Sequence, residues 1–463
     1  MENNKKEQYS EEDIIRRRYL KMSPFNTKNN SNLQYTACVG INGGYDQSTI
    51  YEGFRSTVNT LVQSIGEYKN YADPLVYPIL FCIRHSIELF LKDLYNSIQY
   101  IKSVRNNHDI FVKLNKAKII QSILSQQCDD CDCKIRYNDE NDSDVINEKN
   151  KKRREVIQKR QIVIQGCIDS LYEQCFKDFN KDEFTHNLND LIKKIIDIYK
   201  IDIRIKELFD DVLPLLKYYK DVDPNGDAFR YWLSKDGQPH FETKKIQTVK
   251  LDIVAIQFDE ISEQFNQINW LMWYLRKEYD TGTFTKELSR AQLEEISKLL
   301  PSPNEYVEKI KEVKEQVKKK YIIGSNKFNY ALDIIQKHRE FSANMGKESV
   351  FSHLSDNAMK VFAECSVGKR DWEEASSEIS MDELNLLYTF SDICGWRYGE
   401  GDLAYFSENV QFVYLYTKRR GISCYDINPA SQINYVIKGM KKCGQKTYAS
   451  VMEGYILKLK GQP

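Results

Sequence analysis

The sequence predicts an almost wholly α-helical protein, and three observations carry that expectation. Glycine and proline number only 20 and 10 in 463 residues, so the usual breakers of regular structure are sparse. Long segments rich in Lys, Glu, Ile and Leu place apolar residues three and four apart, the period of a helix face. Helix starts are marked by residue type: Asp73-Pro74 and Asn428-Pro429 each set a capping side chain before a proline, and Ser380-Met381-Asp382-Glu383 is a capping box.

Taken in order, residues 1–46 read as loosely ordered, with the polar run "NTKNNSNLQ" and a break at Gly43-Gly44. Tyr51, Phe54, Val58, Leu61 and Ile65 predict a helix over 47–69, and Pro74 opens another that runs to about Ser103. Residues 104–180 read as an insertion: a polar loop, "QQCDDCDCKIRYNDENDSD", then a helix over 144–176 that opens very basic. Helices follow over 186–199 and 204–220. The turn "KDGQ" predicts a short β-hairpin within 229–242, and a long helix over 251–279 closes a domain spanning 47–280. "LLPSPNEY" at 299–306 is the best linker, within a second helical domain assigned to 281–463, and Cys443-Gly444 marks a helix stop. That second domain carries no catalytic motif and reads as a partner or dimerisation domain.

Lys+Arg and Asp+Glu both number 67, so no net field favours nucleic acid or an anionic membrane. No apolar run approaches the roughly 20 residues of a membrane span, and the start lacks a signal-peptide core. A soluble cytoplasmic protein without membrane contact is expected, its eleven cysteines reduced. P-loop, GxSxG and HExxH patterns are absent, which removes the footing for kinase, serine hydrolase and zinc protease readings. No cofactor is expected.

"YPILFCIRHSIELFLKDLY", residues 77–95, raises the functional question. Ile83, Ile87, Phe90, Leu91 and Leu94 form one apolar stripe, while Arg84, His85, Glu88 and Lys92 occupy the adjoining flank. An exposed Arg-before-Glu pair adds only about 0.2–0.5 kcal/mol to a helix, so local stability explains the arrangement poorly. A cleft in which this flank meets other polar groups explains it better. "EFTHNLNDLIKKI" supplies His186, and "DPNGDAFRYWLSKDG" supplies Asp223, Arg230 and Tyr231.

"YEGFRSTVNTLVQSI", "LVYPILFCIRHSIELFLKDLY", "HNLNDL" and "DVDPNGDAFRYWLSKDG" resemble, in that order, a set of bacterial proteins with an "RHxIELxLK" helix, an "HxLxxLW" helix and an "FRYPxDxxG" turn. That set is similar to the HEPN group, the higher eukaryote and prokaryote nucleotide-binding helical domains, and the resemblance covers residues 51 to about 276. It implies a helical bundle, often dimeric. Many such domains are metal-independent ribonucleases of toxin–antitoxin, abortive-infection and CRISPR-linked systems, and others bind RNA or nucleotides without catalysis. The ribonuclease version sets a histidine four to six residues after an arginine. No arginine here has that spacing, and Trp232 stands where the proline of "FRYP" would be. The resemblance carries over Arg84, His85, Glu88, His186 and Arg230 as motif positions and implies an RNA-directed effector in a stress or phage-defence pathway.

Two readings of those five residues stand side by side. Metal-free RNA cleavage needs a base for the 2′-hydroxyl, an acid for the leaving oxygen and a cation for the developing phosphorane charge. His85 and His186 would be base and acid, Arg84 and Arg230 the phosphate clamps, and Glu88 an orienting group. Alternatively the five form a satisfied polar network that fastens the helices, and the protein is a non-enzymatic scaffold that binds a partner, or a second copy, through its C-terminal half.

Two further signals have nearby alternatives. Cys128, Cys131 and Cys133 are candidate zinc thiolates, yet a fourth ligand would have to come from His108 or Cys167, and a thiol-rich loop is the plainer reading. Lys151, Lys152, Arg153 and Arg154 could track an RNA backbone, but no aromatic residues interleave with them for base stacking, and a solvated helix face is the plainer reading.

Overall fold

The computed structural model describes residues 47–68, 72–138, 144–179, 185–231, 233–234, 236–349, 353–394, 408 and 410–461. Residues 51–463 cluster as one unit. The expectation for residues 1–46 therefore lies outside the described residues. The described chain is mostly helical, as composition and spacing predict.

Helix α1 (Gln47–Tyr68) buries Tyr51 and Val58 from its predicted stripe. The spine is α2 (Ala72–Asn106), which starts two residues ahead of Pro74. Its core face runs from Ile79 and Ile83 through Ile87, Phe90, Leu91 and Leu94 to Ile98 and Ile101, each buried. Burying one such side chain stabilises by about 1.5–3 kcal/mol. By length and composition α2 could cross a membrane, but half of its apolar window is buried inside the molecule.

The insertion is a helical hairpin of α3 (His108–Asn138) and α4 (Asp144–Cys175). This corrects the expected polar loop. Ile110, Leu114, Ala117, Gln121, Leu124, Cys128 and Cys131 alternate spacings of four and three, and so do Ile157, Gln161, Ile164, Ile168, Leu171 and Cys175. That repeat is a coiled-coil seam. It turns Cys128 and Cys131 toward Ile157 and Ile164 while leaving Asp129 in solvent, so helix formation survives the polar composition. Gln121 donates to Gln165 and Gln161 to Ser125, each at 3.2 Å, fixing the antiparallel register.

Beyond the hairpin, α5 (Leu188–Ile198) buries Leu188, Leu191, Ile192 and Ile195 on one face and packs on α2. Next come α6 (Ile203–Val222), capped by Asp202, and α7 (Leu251–Asp280), which packs on both α6 and α2. The predicted β-hairpin reduces to one antiparallel bridge, Leu233 with Pro239, and no strand occurs among the described residues. Ser234 donates to the Gln238 carbonyl at 2.8 Å, but Pro239 has no N–H to extend a ladder, and His240–Thr243 turn helical at once.

Leu299–Tyr306 joins α8 (Arg290–Leu299) to α9 (Tyr306–Tyr321), and Leu293, Leu300 and Val317 on its two sides share one apolar cluster. That cluster also takes in α10 (Ser325–Lys337) and α11 (Arg339–Asn344). A third cluster is built by α12 (Asp356–Ser366), α13 (Met381–Ile393), α14 (Val410–Arg420), α15 (Pro429–Lys442) and α16 (Lys446–Leu459). The capping box at Ser380 and the Asn428-Pro429 start are both present. At Gly439 a Cβ would lie 1.9 Å from the Phe390 carbonyl oxygen, so α15 crosses α13 only because that residue is glycine.

Candidate functional site

Arg84 is 2% exposed and binds protein on every side. Its Nη1 pairs with Glu88 Oε2, Nη2 donates to the carbonyls of His186 (2.5 Å) and Pro224 (3.0 Å), and Nε donates to the carbonyl of Asp223 (3.2 Å). The loop that meets it is shaped by Asp223, whose Oδ1 accepts from the N–H groups of Gly226, Asp227 and Ala228 at 2.9–3.1 Å. Gly226 adopts φ +81°, and a Cβ there would sit 3.1 Å from Arg84 Cζ. Pro224 also accepts from the Leu188 N–H at 2.9 Å. One guanidinium therefore fastens α2 to the start of α5 and to the 223–230 turn.

Glu88, 3% exposed, holds the other side. Its Oε1 meets Lys92 Nζ at 2.5 Å and His186 Nδ1 at 2.8 Å. Burial alone would raise this carboxyl, but hydrogen bonds from Lys92, His186 and Arg84 outweigh it and bring it to about 2. The carboxylate is thus charged throughout the physiological range. The His186 side chain is 75% exposed, so its other ring edge is open to solvent.

His85 takes a different place. Its ring meets the edge of Phe54 at 5.1 Å and stacks on Phe81 at 5.7 Å. Burial lowers its pKa, Glu88 opposes the shift, and Arg84, Arg230 and Lys92 add to it. Arg230 is exposed and lies 5.6 Å from the Phe81 ring centre. All five predicted residues belong to the surroundings of α2, but only Arg84, Glu88 and His186 touch one another. Trp232 lies outside the described residues.

Other predicted groups are brought to no site. Cys131 is buried and Cys128 half-buried in the α3–α4 seam, and the Cys133 side chain lies outside the described residues. Among the described residues no group of three or more His, Cys, Asp or Glu side chains could hold a metal ion. Lys151, Lys152 and Arg153 are exposed, with Lys152 2.8 Å from Glu148, while Arg154 lies 2.8 Å from Asp132.

Two further arginine–carboxylate clusters escaped sequence reasoning. Arg204 binds Asp202 and Glu278, both at 2.8 Å, with the Tyr279 hydroxyl donating to Asp202 at 3.1 Å. Arg290 reaches Glu340 at 2.5 Å and Glu408 at 3.0 Å. The available signal was the same as at Arg84, a charge beside an apolar stripe, without a motif to draw attention to it.

No family model, curated protein or solved structure matches this chain.

Proposed function

We propose that this protein is a non-enzymatic helical scaffold that pairs with a second copy of itself through the α3–α4 hairpin. The observation that carries the non-enzymatic reading is the commitment of Arg84: its guanidinium is buried and spends its donors on Glu88 and three backbone carbonyls. A phosphate clamp needs donors aimed at the ligand. His85, enclosed by Phe54 and Phe81, is likewise engaged in packing.

The hairpin supplies the surface for pairing. Its register sets Ile120 level with Cys167 and Ile123 level with Val163, and all four side chains are exposed. Heptad geometry puts them on the same flank of the two helices. Along α4 the basic run Lys149–Arg160 is followed by Asp169 and Glu173, so α4 laid antiparallel on a second α4 sets its basic stretch against those two carboxylates. Sedimentation equilibrium should find a dimer for the wild type and a monomer for Ile123→Glu/Val163→Glu, with helicity unchanged.

The second reading is the RNA-directed effector of the HEPN resemblance, in a stress or phage-defence pathway. One observation favours it: His186, buttressed by the buried Glu88 carboxylate, has the form of a proton carrier facing solvent. RNA and tRNA integrity in cells making wild type or His186→Ala separates the two. The scaffold predicts intact RNA with both. Cleavage that disappears in a folded His186→Ala protein establishes the effector instead.

A further inference from the structure

A second cluster of charged side chains lies far along the sequence from Arg84. Helices α8, α11, α15 and α16 converge on a cavity of about 620 Å³, within the size range of small-molecule sites. Five lysines line it: Lys298, Lys438, Lys441, Lys442 and Lys446. Among the described residues three carboxylates line it with them, Glu294, Glu340 and Glu453.

Those carboxylates are already engaged. Glu340 accepts from Lys442 at 3.0 Å and from the buried Arg290 at 2.5 Å, Glu294 pairs with Lys298 at 2.8 Å, and Glu453 pairs with Lys441 at 2.6 Å. Lys446 is half-buried and has no ion pair among the described residues. It is also the first residue of α16, whose N-cap residue Gln445 gives no side-chain cap. The Thr447 N–H next to it donates to Glu348 at 2.9 Å. The Glu348 carboxylate thus meets the α16 N-terminus, while Lys446, a cation at that end, opposes the helix dipole and faces the cavity.

We propose that this cavity binds a small anion carrying several phosphate charges, held by Lys438, Lys441, Lys442 and Lys446. Lysines act as point charges toward phosphate oxygens, and like charges gathered in a concave wall raise the local concentration of anions. Among the described residues no aromatic side chain lines the cavity to stack on a base. That favours a compact phosphate chain over a strand of nucleic acid. This proposal is independent of the scaffold reading.

The test is isothermal titration of the full chain with sodium tripolyphosphate at low salt. Saturable binding is expected, weakening as salt rises. Lys446→Gln should weaken it about tenfold, the scale of one charge-assisted contact, and Lys438→Gln should do the same. Lys319→Gln, on the exposed face of α9, should leave it unchanged. Should Lys446→Gln misfold, the Lys438→Gln protein, checked by circular dichroism, gives the same reading. No saturable heat, equal loss in the Lys319→Gln control, or binding of single-stranded RNA without binding of tripolyphosphate overturns the proposal.

Discussion

Arg84 is a buried cation and Lys446 a half-buried one, and their surroundings differ further. Around Arg84 each donor meets an acceptor, Glu88 or a carbonyl, and a turn built on Asp223 and Gly226 closes against the guanidinium. Around Lys446 a cavity of about 620 Å³ is left open, lined among the described residues by five lysines and three carboxylates. A matched, sealed charge contributes to a unique fold; a surplus charge on an open wall is available to a ligand. The better motif therefore marks the more structural of the two regions.

The largest effect that would break this comparison is at Glu88. Glu88→Ala leaves buried Arg84 with only the more distant Asp223 carboxylate, 3.8 Å from its Nε, and should cost about 3–5 kcal/mol in urea unfolding. Lys446→Gln, by contrast, removes an unpaired cation and should leave the unliganded protein as stable or slightly more so. Equal losses at the two positions would erase the distinction.

Gly226→Ala comes next. The left-handed φ and the approach of Arg84 both resist a Cβ, so a loss of about 1–3 kcal/mol is expected. A neutral result would mean that the turn yields easily and does not clamp the guanidinium.

Acid sharpens the same point. The Glu88 carboxyl is depressed from 4.5 to about 2, so its contribution is present above pH 4.5 and is lost as pH falls toward 2. Stability of the wild type should fall across that window, and Glu88→Gln should show a shallower slope there. Identical slopes would show that other carboxylates govern acid unfolding.

The smallest effect belongs to the exposed basic run. Lys151→Ala and Lys152→Ala should change stability by less than about 0.5 kcal/mol, because exposed charges are well solvated.

Much of the fold was legible in the sequence because helix periodicity and caps are local. The stripe from Tyr51 to Ile65, the capping box at Ser380 and the Asn428-Pro429 start needed no distant partner. Failures came where composition was weighed above spacing, or where a turn promised more than its neighbours allow. Cys128 and Cys131 looked like loop residues among aspartates, although their separation fits the seam that Leu114 and Leu124 begin. "KDGQ" does turn the chain, but Pro239 ends the pairing after one bridge.

At the site, the sequence brought Arg84, Glu88 and His186 into view as a group. It gave no sign that Arg84 would use the carbonyls of His186, Asp223 and Pro224, because any residue type supplies a backbone carbonyl. The lysine cavity was invisible for a related reason. Lys298 and Lys446 are far apart in the chain, and only the packing of α8 against the α15–α16 pair gives them a common wall.

The most direct test of the central claim is the stability of Arg84→Lys against wild type in urea. A lysine keeps the charge but cannot serve Glu88 and three carbonyls from one planar fork. A structural fastener predicts a loss of about 2 kcal/mol or more, with the unsatisfied buried carbonyls as the cause. An Arg84→Lys protein as stable as wild type would contradict the account and return Arg84 to the list of groups free to meet a ligand.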